Sequence, residues 1–592
     1  MRNLVESHIS QALERAAAAG DLNLAYTPES AVERPRDPAH GDWASTIALK
    51  LAKELGRSPR DIAQIIVNHL AEDAAFARVE VAGPGFINLT LSSTALIGIL
   101  RTAYEQNGEY ARVDLGEHRT VNVEFISANP TGPLHVGHGR WAALGNALCK
   151  VLEHAGWQVV REFYVNDAGS QMDKFGESVA VRYLQELGQD TTMPEDGYHG
   201  VYVKDIARAL VQEYGNRWAE LTPAERNAEL REEGYKRMLA NQQEVCARLG
   251  VYFDVWFSER TLYEPLVAPS IESATASAQA PDTSPIALML DKLRQGDYLY
   301  EEDGATWFRS TAFFDDKDRV LIKSDGSYTY FAPDTAYHWD KFERPATEAD
   351  PQGGSEFLID IWGADHHGYI PRMQAAVAAL GHEGKLTVVL GQLVNLFRSG
   401  QPVRMSKRTG EMISFEELVD EVGADATKYL MLSRSSDQPI DFDIEVAKAQ
   451  DASNPVYYVQ YAHARICSVL RKAQESGLGV EAGVGEAPDA VLPGNVETST
   501  LMLLTEDAER DLIRCIGQLP DLVEQCARDL APFKLTHYAE ELAGRFHRFY
   551  AECSIVSEDR ELSFARLYLS EATRRVLALV LGLLGVSAPE RM

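Results

Sequence analysis

Segments of helical and of strand-like periodicity follow one another along the chain, and their order divides it into regions before any single residue is considered. From Arg2 to about Gly56, and again from Pro59 to Asp73, apolar residues recur at helical spacing, whereas VEVAGPGFINLTL from Val79 alternates as strands do. A small α/β unit over residues 1–110 is expected. TVNVEF from Thr120 leads through the turn-rich ANPTGP into a helix with Leu144, Leu148 and Leu152 on one stripe, the opening of a nucleotide-binding βαβ unit. Gly156 is placed to end that helix and WQVVREFYV supplies a second strand. FLIDIW from Phe357 and LTVVLGQLVNLF from Leu386 read as later strands of the same buried sheet. The charged, helix-rich stretch from about Asp196 to Glu259 reads as an insertion. From Ser453 amphipathic helical patterns run to the C-terminus, broken by GVEAGVGEAPDAVLPGN, which reads as a linker or loop.

Composition narrows the picture. At 592 residues the chain exceeds one hydrophobic core, so about three or four domains are expected. Hydrophobic residues at 45% and charged residues at 24% are ordinary globular usage, which excludes a disordered or fibrous chain. The charged N-terminal segment lacks the apolar core of a signal peptide, and the run VLALVLGLLGV from Val576 is shorter than the roughly 20 residues that span a bilayer. A buried helix and no membrane role are expected there. Six cysteines lie without zinc-knuckle or redox spacing, so reduced thiols in a cytoplasm and no zinc are expected. The net charge of −31 opposes broad nucleic-acid binding, so any RNA contact must be local.

Two motifs carry chemistry. Leu134-His135-Val136-Gly137-His138 stands at the mouth of a helix, where free N–H groups and the helix dipole suit phosphate. His135 and His138, three apart, share one side of the first turn and can donate to phosphate oxygens, and Gly137 leaves room for a flat adenine. Arg404-Met405-Ser406-Lys407-Arg408 follows much later, bounded by Gly400 and Gly410 as a mobile loop. From it Lys407 is placed to neutralise charge on transferring phosphates.

This pair resembles the HIGH and KMSKS signatures of class I aminoacyl-tRNA synthetases, and SANPTGPLHVGH from Ser127 to His138 resembles the arginyl-tRNA synthetases in particular. Asp365-His366-His367-Gly368-Tyr369, the string from Asn454 to Arg465 and the ending Pro589-Glu590-Arg591-Met592 extend the likeness over nearly the whole chain. One departure is Arg404, where the signature has lysine. The resemblance implies an α/β fold with a Rossmann-type doubly wound catalytic domain over 111–400, its helical insertion near 196–259 and a signature loop and linking segment over 401–450. An N-terminal domain that holds the tRNA elbow and a C-terminal all-α anticodon-binding domain over 451–592 complete it.

A guanidinium is best met by carboxylates. Glu124 sits near the end of the first strand, where ligands of open α/β sheets bind, and from the residues alone its charge is answered either by a bound cation or by solvent. The resemblance favours substrate. It also implies Tyr330 and Asp334 in the guanidinium pocket, Ser127, Asn129 and Gln374 on the substrate's amino and carboxylate groups, and Leu134, Gly137, Gly363, Asp365, Met405 and Ser406 around ATP. Without it Tyr330 reads as core and Asp334 as a helix cap. Tyr458, Tyr461 and Arg465 at spacings of three and four, Phe86 and Asn88 on one strand face, and Met592 are the implied RNA contacts. The expected chemistry is ATP-driven activation of L-arginine, with Mg²⁺ accompanying ATP, followed by transfer to the cognate tRNA, in a cytoplasmic monomer.

Overall fold

The computed structural model describes the chain except for residues 27, 30–31, 36, 71–72, 266–281, 347–352, 404–413 and 479–495. The linker expected over 479–495 and the whole signature loop, Arg404 to Arg408 with Met405, Ser406 and Lys407, lie outside the described residues.

Five parallel strands form the central sheet in the order Leu386–Gly391, Phe357–Gly363, Thr120–Glu124, Gln158–Val165, Val255–Ser258. The chain winds outward from Thr120–Glu124 through two strands, then returns to its other side for Phe357–Gly363. That reversal opens a crevice at the carboxyl ends of Thr120–Glu124 and Phe357–Gly363, the place where doubly wound sheets bind ligands. The helix Val136–His154 follows the first strand and is buried along most of its length, as its small and apolar residues require.

Three expected segments take a different form. The helical reading from Arg2 to Gly56 is interrupted. Arg2–Ala18 is a helix, but the short strands Val32–Glu33 and Trp43–Ser45 precede the next one, Ile47–Leu55. Pro35 and Pro38 break the helical run, and Val32–Glu33 pairs with Trp43–Ser45, which pairs with Phe86–Leu91 and through it joins Phe76–Ala82 in a four-stranded antiparallel sheet. LTVVLGQLVNLF is not one strand. Leu386–Gly391 closes the main sheet, and Val394–Arg398 joins a separate sheet beside Ile440–Asp443. Between them the Gln392 N–H donates to the Ser436 carbonyl at 2.9 Å, and its own carbonyl accepts from Arg140 Nη1 at 2.7 Å, so the backbone leaves the sheet there. The insertion is also redrawn. Ser170–Glu186 joins Val201–Tyr214 and Pro223–Arg248 around a core containing Phe175, Tyr183, Trp218 and Leu230, whereas Val255–Ser258 belongs to the main sheet. A further unit unread in the sequence, the helix Pro285–Gln295 with strands Leu299–Glu302, Ala305–Phe308 and Arg319–Ile322, follows it.

Beyond Ser453 the described elements are helices, chiefly Pro455–Glu475, Asp507–Ile516, Leu519–Asp529, Lys534–Glu552 and Arg560–Leu583. The apolar run from Val576 is buried in the last of these, and no helix among the described residues is long and apolar enough to cross a membrane. All six cysteines are buried and unpaired.

Candidate active site

A cavity of about 470 Å³ occupies the crevice, within the range that holds a small-molecule ligand. Its two ends differ in chemistry.

One end is the start of the helix Val136–His154. His135 occupies the N-cap, its N–H donates to His138 Nδ1 at 3.1 Å, and the two rings stack with centroids 3.6 Å apart. With Nδ1 accepting, His138 keeps Nε2–H as its donor. Both histidines line the cavity, together with Trp141, whose indole is 5.5 Å from the His138 ring. Gly137 and Leu134, expected around ATP, have structural partners of their own. A Cβ on Gly137 would stand 3.0 Å from His135 Cε1, so its bareness is what lets the His135 ring fold over the first turn. Leu134 is 2% exposed, and its carbonyl accepts the Phe415 N–H at 3.1 Å. Phe415 begins the helix Phe415–Val422 just beyond the signature loop and is buried against Gly139, where an added Cβ would lie 2.1 Å from the ring. The far stem of that loop is thus fastened to the histidine helix.

The other end is acidic. At the end of the first strand Ile126 and Ser127 hold positive φ of 71° and 43°, a strained backbone for non-glycine residues. The kink turns Ser127 and Asn129 onto the cavity wall. Ser127 Oγ donates to Glu124 Oε1 at 2.7 Å, and Asn129 Nδ2 to Gln171 Oε1 at 2.9 Å. Glu124 lines the cavity, but its charge is already met by Lys341, whose Nζ donates to Oε2 at 2.5 Å. Neither solvent nor substrate is the first answer to that buried carboxylate. Asp334 also lines the cavity, with Oδ2 accepting the Tyr369 hydroxyl at 2.6 Å. Burial lifts the Asp334 carboxyl above the usual range, and nearby Glu124 adds to this against the Tyr369 hydrogen bond. Gly363 and Asp365 reach the cavity from the end of the neighbouring strand.

Tyr330 and Gln374 are not brought in. Tyr330 caps the helix Phe331–Glu343 and is 86% exposed, because Phe331 and Ala332 take the inward face; it is not core either. Gln374 is exposed on Ile370–Ala379, whose inward positions are Met373 and Ala376.

Several residues of this site went unread in the sequence. Lys341, His338 and Asp360 form a buried network behind Glu124 and Asp334. Their signal was present, since Asp334, His338 and Lys341 stand at i, i+4 and i+7 of one helix. Glu259, behind Tyr164 on the cavity wall, accepts the Tyr263 hydroxyl at 3.1 Å and is bonded to the Tyr164 hydroxyl. Burial lifts its carboxyl too, against those hydrogen bonds. Among the described residues no group of three or more His, Cys, Asp or Glu is arranged to hold a metal ion.

The expected RNA residues lie away from the cavity. Tyr458 and Tyr461 on Pro455–Glu475 flank His547 at 5.0 and 6.2 Å, and the Arg465 guanidinium lies over both Tyr461 and Tyr550 at 5.0 and 4.7 Å. This half-buried aromatic face, with Tyr550 40% exposed, has the rings and cation of a base-stacking platform. Phe86 and Asn88 share one half-buried strand face, alternating with buried Ile87 and Leu89, and Met592 is exposed at the C-terminus.

Known proteins resemble the chain from end to end. Residues 3–91 match the family described as Arginyl tRNA synthetase N terminal domain, 100–466 match tRNA synthetases class I (R), catalytic domain, and 459–592 match DALR anticodon binding domain. The Arginine--tRNA ligase of Dehalococcoides mccartyi is 42% identical over 593 residues, covering 100% of this chain and 99% of that protein. That of Bacillus licheniformis is 43% identical over 595 residues, covering 100% and 99%. The Thermus thermophilus arginyl-tRNA synthetase structure superposes with a TM-score of 0.69 at 23% identity over 100% of both chains, and so shares the fold. The chain belongs to the arginyl-tRNA synthetase family.

Proposed function

We propose that this chain joins arginine to its tRNA, and that the cavity at the sheet's reversal point is where arginyl-adenylate is made. The observation that carries the reading is the pairing of opposite chemistries across one cavity: stacked His135 and His138 at a helix N-terminus, and Glu124 with Asp334 at the other end. Arginine carries its guanidinium at one end and its α-ammonium and reacting carboxylate at the other, and this cavity offers carboxylates to the cations and phosphate-binding donors to the adenylate. The substrate carboxylate attacks the α-phosphorus of Mg²⁺-bound ATP, and pyrophosphate leaves. A ribose hydroxyl of the tRNA's terminal adenosine then attacks the arginyl carbonyl, and AMP leaves. Neither step requires a protein base of its own, so donors at His135 and His138 and the positive Lys407 act by stabilising charge on the phosphates.

Asp334 is the counter-charge for the guanidinium, with Ser127 and Asn129 at the α-amino end. The aromatic face at Tyr458, Tyr461 and Arg465 receives anticodon bases, while Phe86 and Asn88 touch the tRNA elbow. The enzyme acts in the cytoplasm as a monomer. Activation depends on tRNA, because the loop carrying Lys407 is held at its far stem by Phe415 on Leu134, and the segment after it leads directly to the helix carrying Tyr461. The test is pyrophosphate exchange with RNA-free enzyme for each amino acid in turn. Exchange with arginine alone, and only once tRNA is added, supports the reading; exchange without tRNA refutes the coupling, and exchange with another amino acid refutes the substrate.

A further inference from the structure

Lys341 is a wholly buried ammonium that neither reaction step uses, its side chain 0% exposed. Nζ donates to Glu124 Oε2 at 2.5 Å and to Asp360 Oδ1 at 2.9 Å, and lies 4.4 Å from the centre of the Tyr337 ring. Asp360 Oδ2 meets His338 Nε2 at 2.7 Å, and His338 Nδ1 lies 2.7 Å from the Asp334 carbonyl. One chain of contacts therefore runs from the backbone of Asp334 through His338, Asp360 and Lys341 to Glu124, and both of its ends stand on the cavity wall. Of the other carboxylates nearby, Glu162 is occupied by Arg344 through bonds of 2.9 and 3.0 Å, and Asp340 lies 3.0 Å from the same guanidinium.

Burying an ammonium between two carboxylates is an expensive way to hold a helix on a sheet. Apolar residues of similar volume do that work as well or better. Burial opposes the charge on Lys341, but Asp360 and Glu124 together hold its pKa above the ordinary lysine value. Both ring nitrogens of His338 face acceptors, so its imidazolium and the Lys341 ammonium together balance Asp360 and Glu124, and Glu124 is the carboxylate of this set on the cavity wall. With Oε2 on Lys341 and Oε1 on Ser127, the plane of that carboxylate is set before a ligand arrives.

We propose that Lys341 is a positioning residue for substrate binding: it holds the Glu124 carboxylate in the one orientation that receives a cation of arginine. The proposal rests on reading the cavity as the arginine site. Its function is pre-organisation, so its loss should appear in arginine binding more than in turnover.

The test measures arginine KM and kcat in tRNA-dependent pyrophosphate exchange. Lys341→Met alone takes the ammonium from two buried carboxylates, so Lys341→Met/Asp360→Asn, which removes the ammonium with one carboxylate, is the principal variant, and Asp334→Asn is the reference. We expect the double variant to fold with arginine KM raised about 10- to 50-fold and kcat within about threefold of the parent. In an enzyme already carrying Glu124→Gln, adding Lys341→Met should leave arginine KM unchanged, because the lysine acts through that carboxylate. A folded Lys341→Met/Asp360→Asn enzyme with the parent's arginine KM overturns the proposal, as do additive effects of Lys341→Met and Glu124→Gln. If Asp334→Asn raises KM while the double variant does not, only the role of Lys341 falls. If Asp334→Asn also leaves KM unchanged, the reading of the cavity falls with it.

Discussion

Replacing Asp334 by asparagine separates charge from shape at the acidic end of the cavity. Asp334 Oδ2 accepts the Tyr369 hydroxyl at 2.6 Å, an interaction the asparagine oxygen can keep, so the substitution removes the charge and leaves the hydrogen bond. A charge-assisted contact to a guanidinium in such a site contributes about 2 to 3 kcal/mol, and arginine KM should therefore rise about 30- to 150-fold. Stability should move the other way. Burial, reinforced by Glu124, raises the folded-state pKa of this carboxyl above its unfolded value. Such a group contributes stability that is present below the unfolded pKa and lost as pH rises through the folded one, so at neutral pH its charge burdens the empty enzyme. Asp334→Asn should accordingly hold or raise the Tm without arginine. For the same reason, arginine KM of the parent should climb as pH falls through a pKa above that of an ordinary aspartate, and the asparagine variant should lose that climb. Asp334→Ala is the control, since it orphans the Tyr369 hydroxyl and should cost stability by about 1 to 3 kcal/mol. Arginine titrations of tRNA-dependent pyrophosphate exchange across pH, with thermal unfolding beside them, supply every quantity. An Asp334→Asn enzyme that keeps arginine KM within twofold and melts earlier would show the residue to be a structural cap and refute the argument.

Three further outcomes follow from the geometry. Gly139→Ala places a Cβ 2.1 Å from the Phe415 ring, so it should cost about 1 to 3 kcal/mol in chemical denaturation and lower kcat with little change in arginine KM, since it disturbs the stem of the signature loop. Lys407→Ala should cut the activation rate by about two to three orders of magnitude while barely altering ATP or arginine affinity, and an equal loss of ATP affinity in equilibrium binding would contradict that role. Tyr461→Ala should weaken tRNA by about 1 to 3 kcal/mol, seen as a raised tRNA KM in aminoacylation, because it removes a ring and the platform under Arg465.

What could be read from the sequence was what is local. The strands at Thr120 and Phe357 announce themselves by apolar runs, and the histidine helix by its mouth and its leucine stripe, so the crevice and both of its rims were within reach. Val255–Ser258 was not, because four half-buried residues after a charged helical stretch carry no strand signal of their own. Pairing with Glu162–Val165 makes them the sheet's edge. The acidic end shows the same limit. Asp334, His338 and Lys341 form a visible stripe, but the ammonium's meaning comes from Glu124, 217 positions away, and Asp360, 19 away. From the residues alone the charge on Glu124 was open between a bound cation and solvent, and in the fold it meets an ammonium of the protein's own. Tyr330, placed in the pocket by resemblance and read as core from the residues alone, stands one residue before its helix with its ring in solvent.

The claim that the reversal-point cavity holds arginyl-adenylate is tested most directly by a structure with a non-hydrolysable arginyl-adenylate analogue. The guanidinium is expected within hydrogen-bond distance of the Asp334 carboxylate, the phosphate replacement against His135 and His138, and Lys341 still bonded to Glu124. An analogue bound with its guanidinium away from Asp334, or outside this cavity altogether, would contradict it.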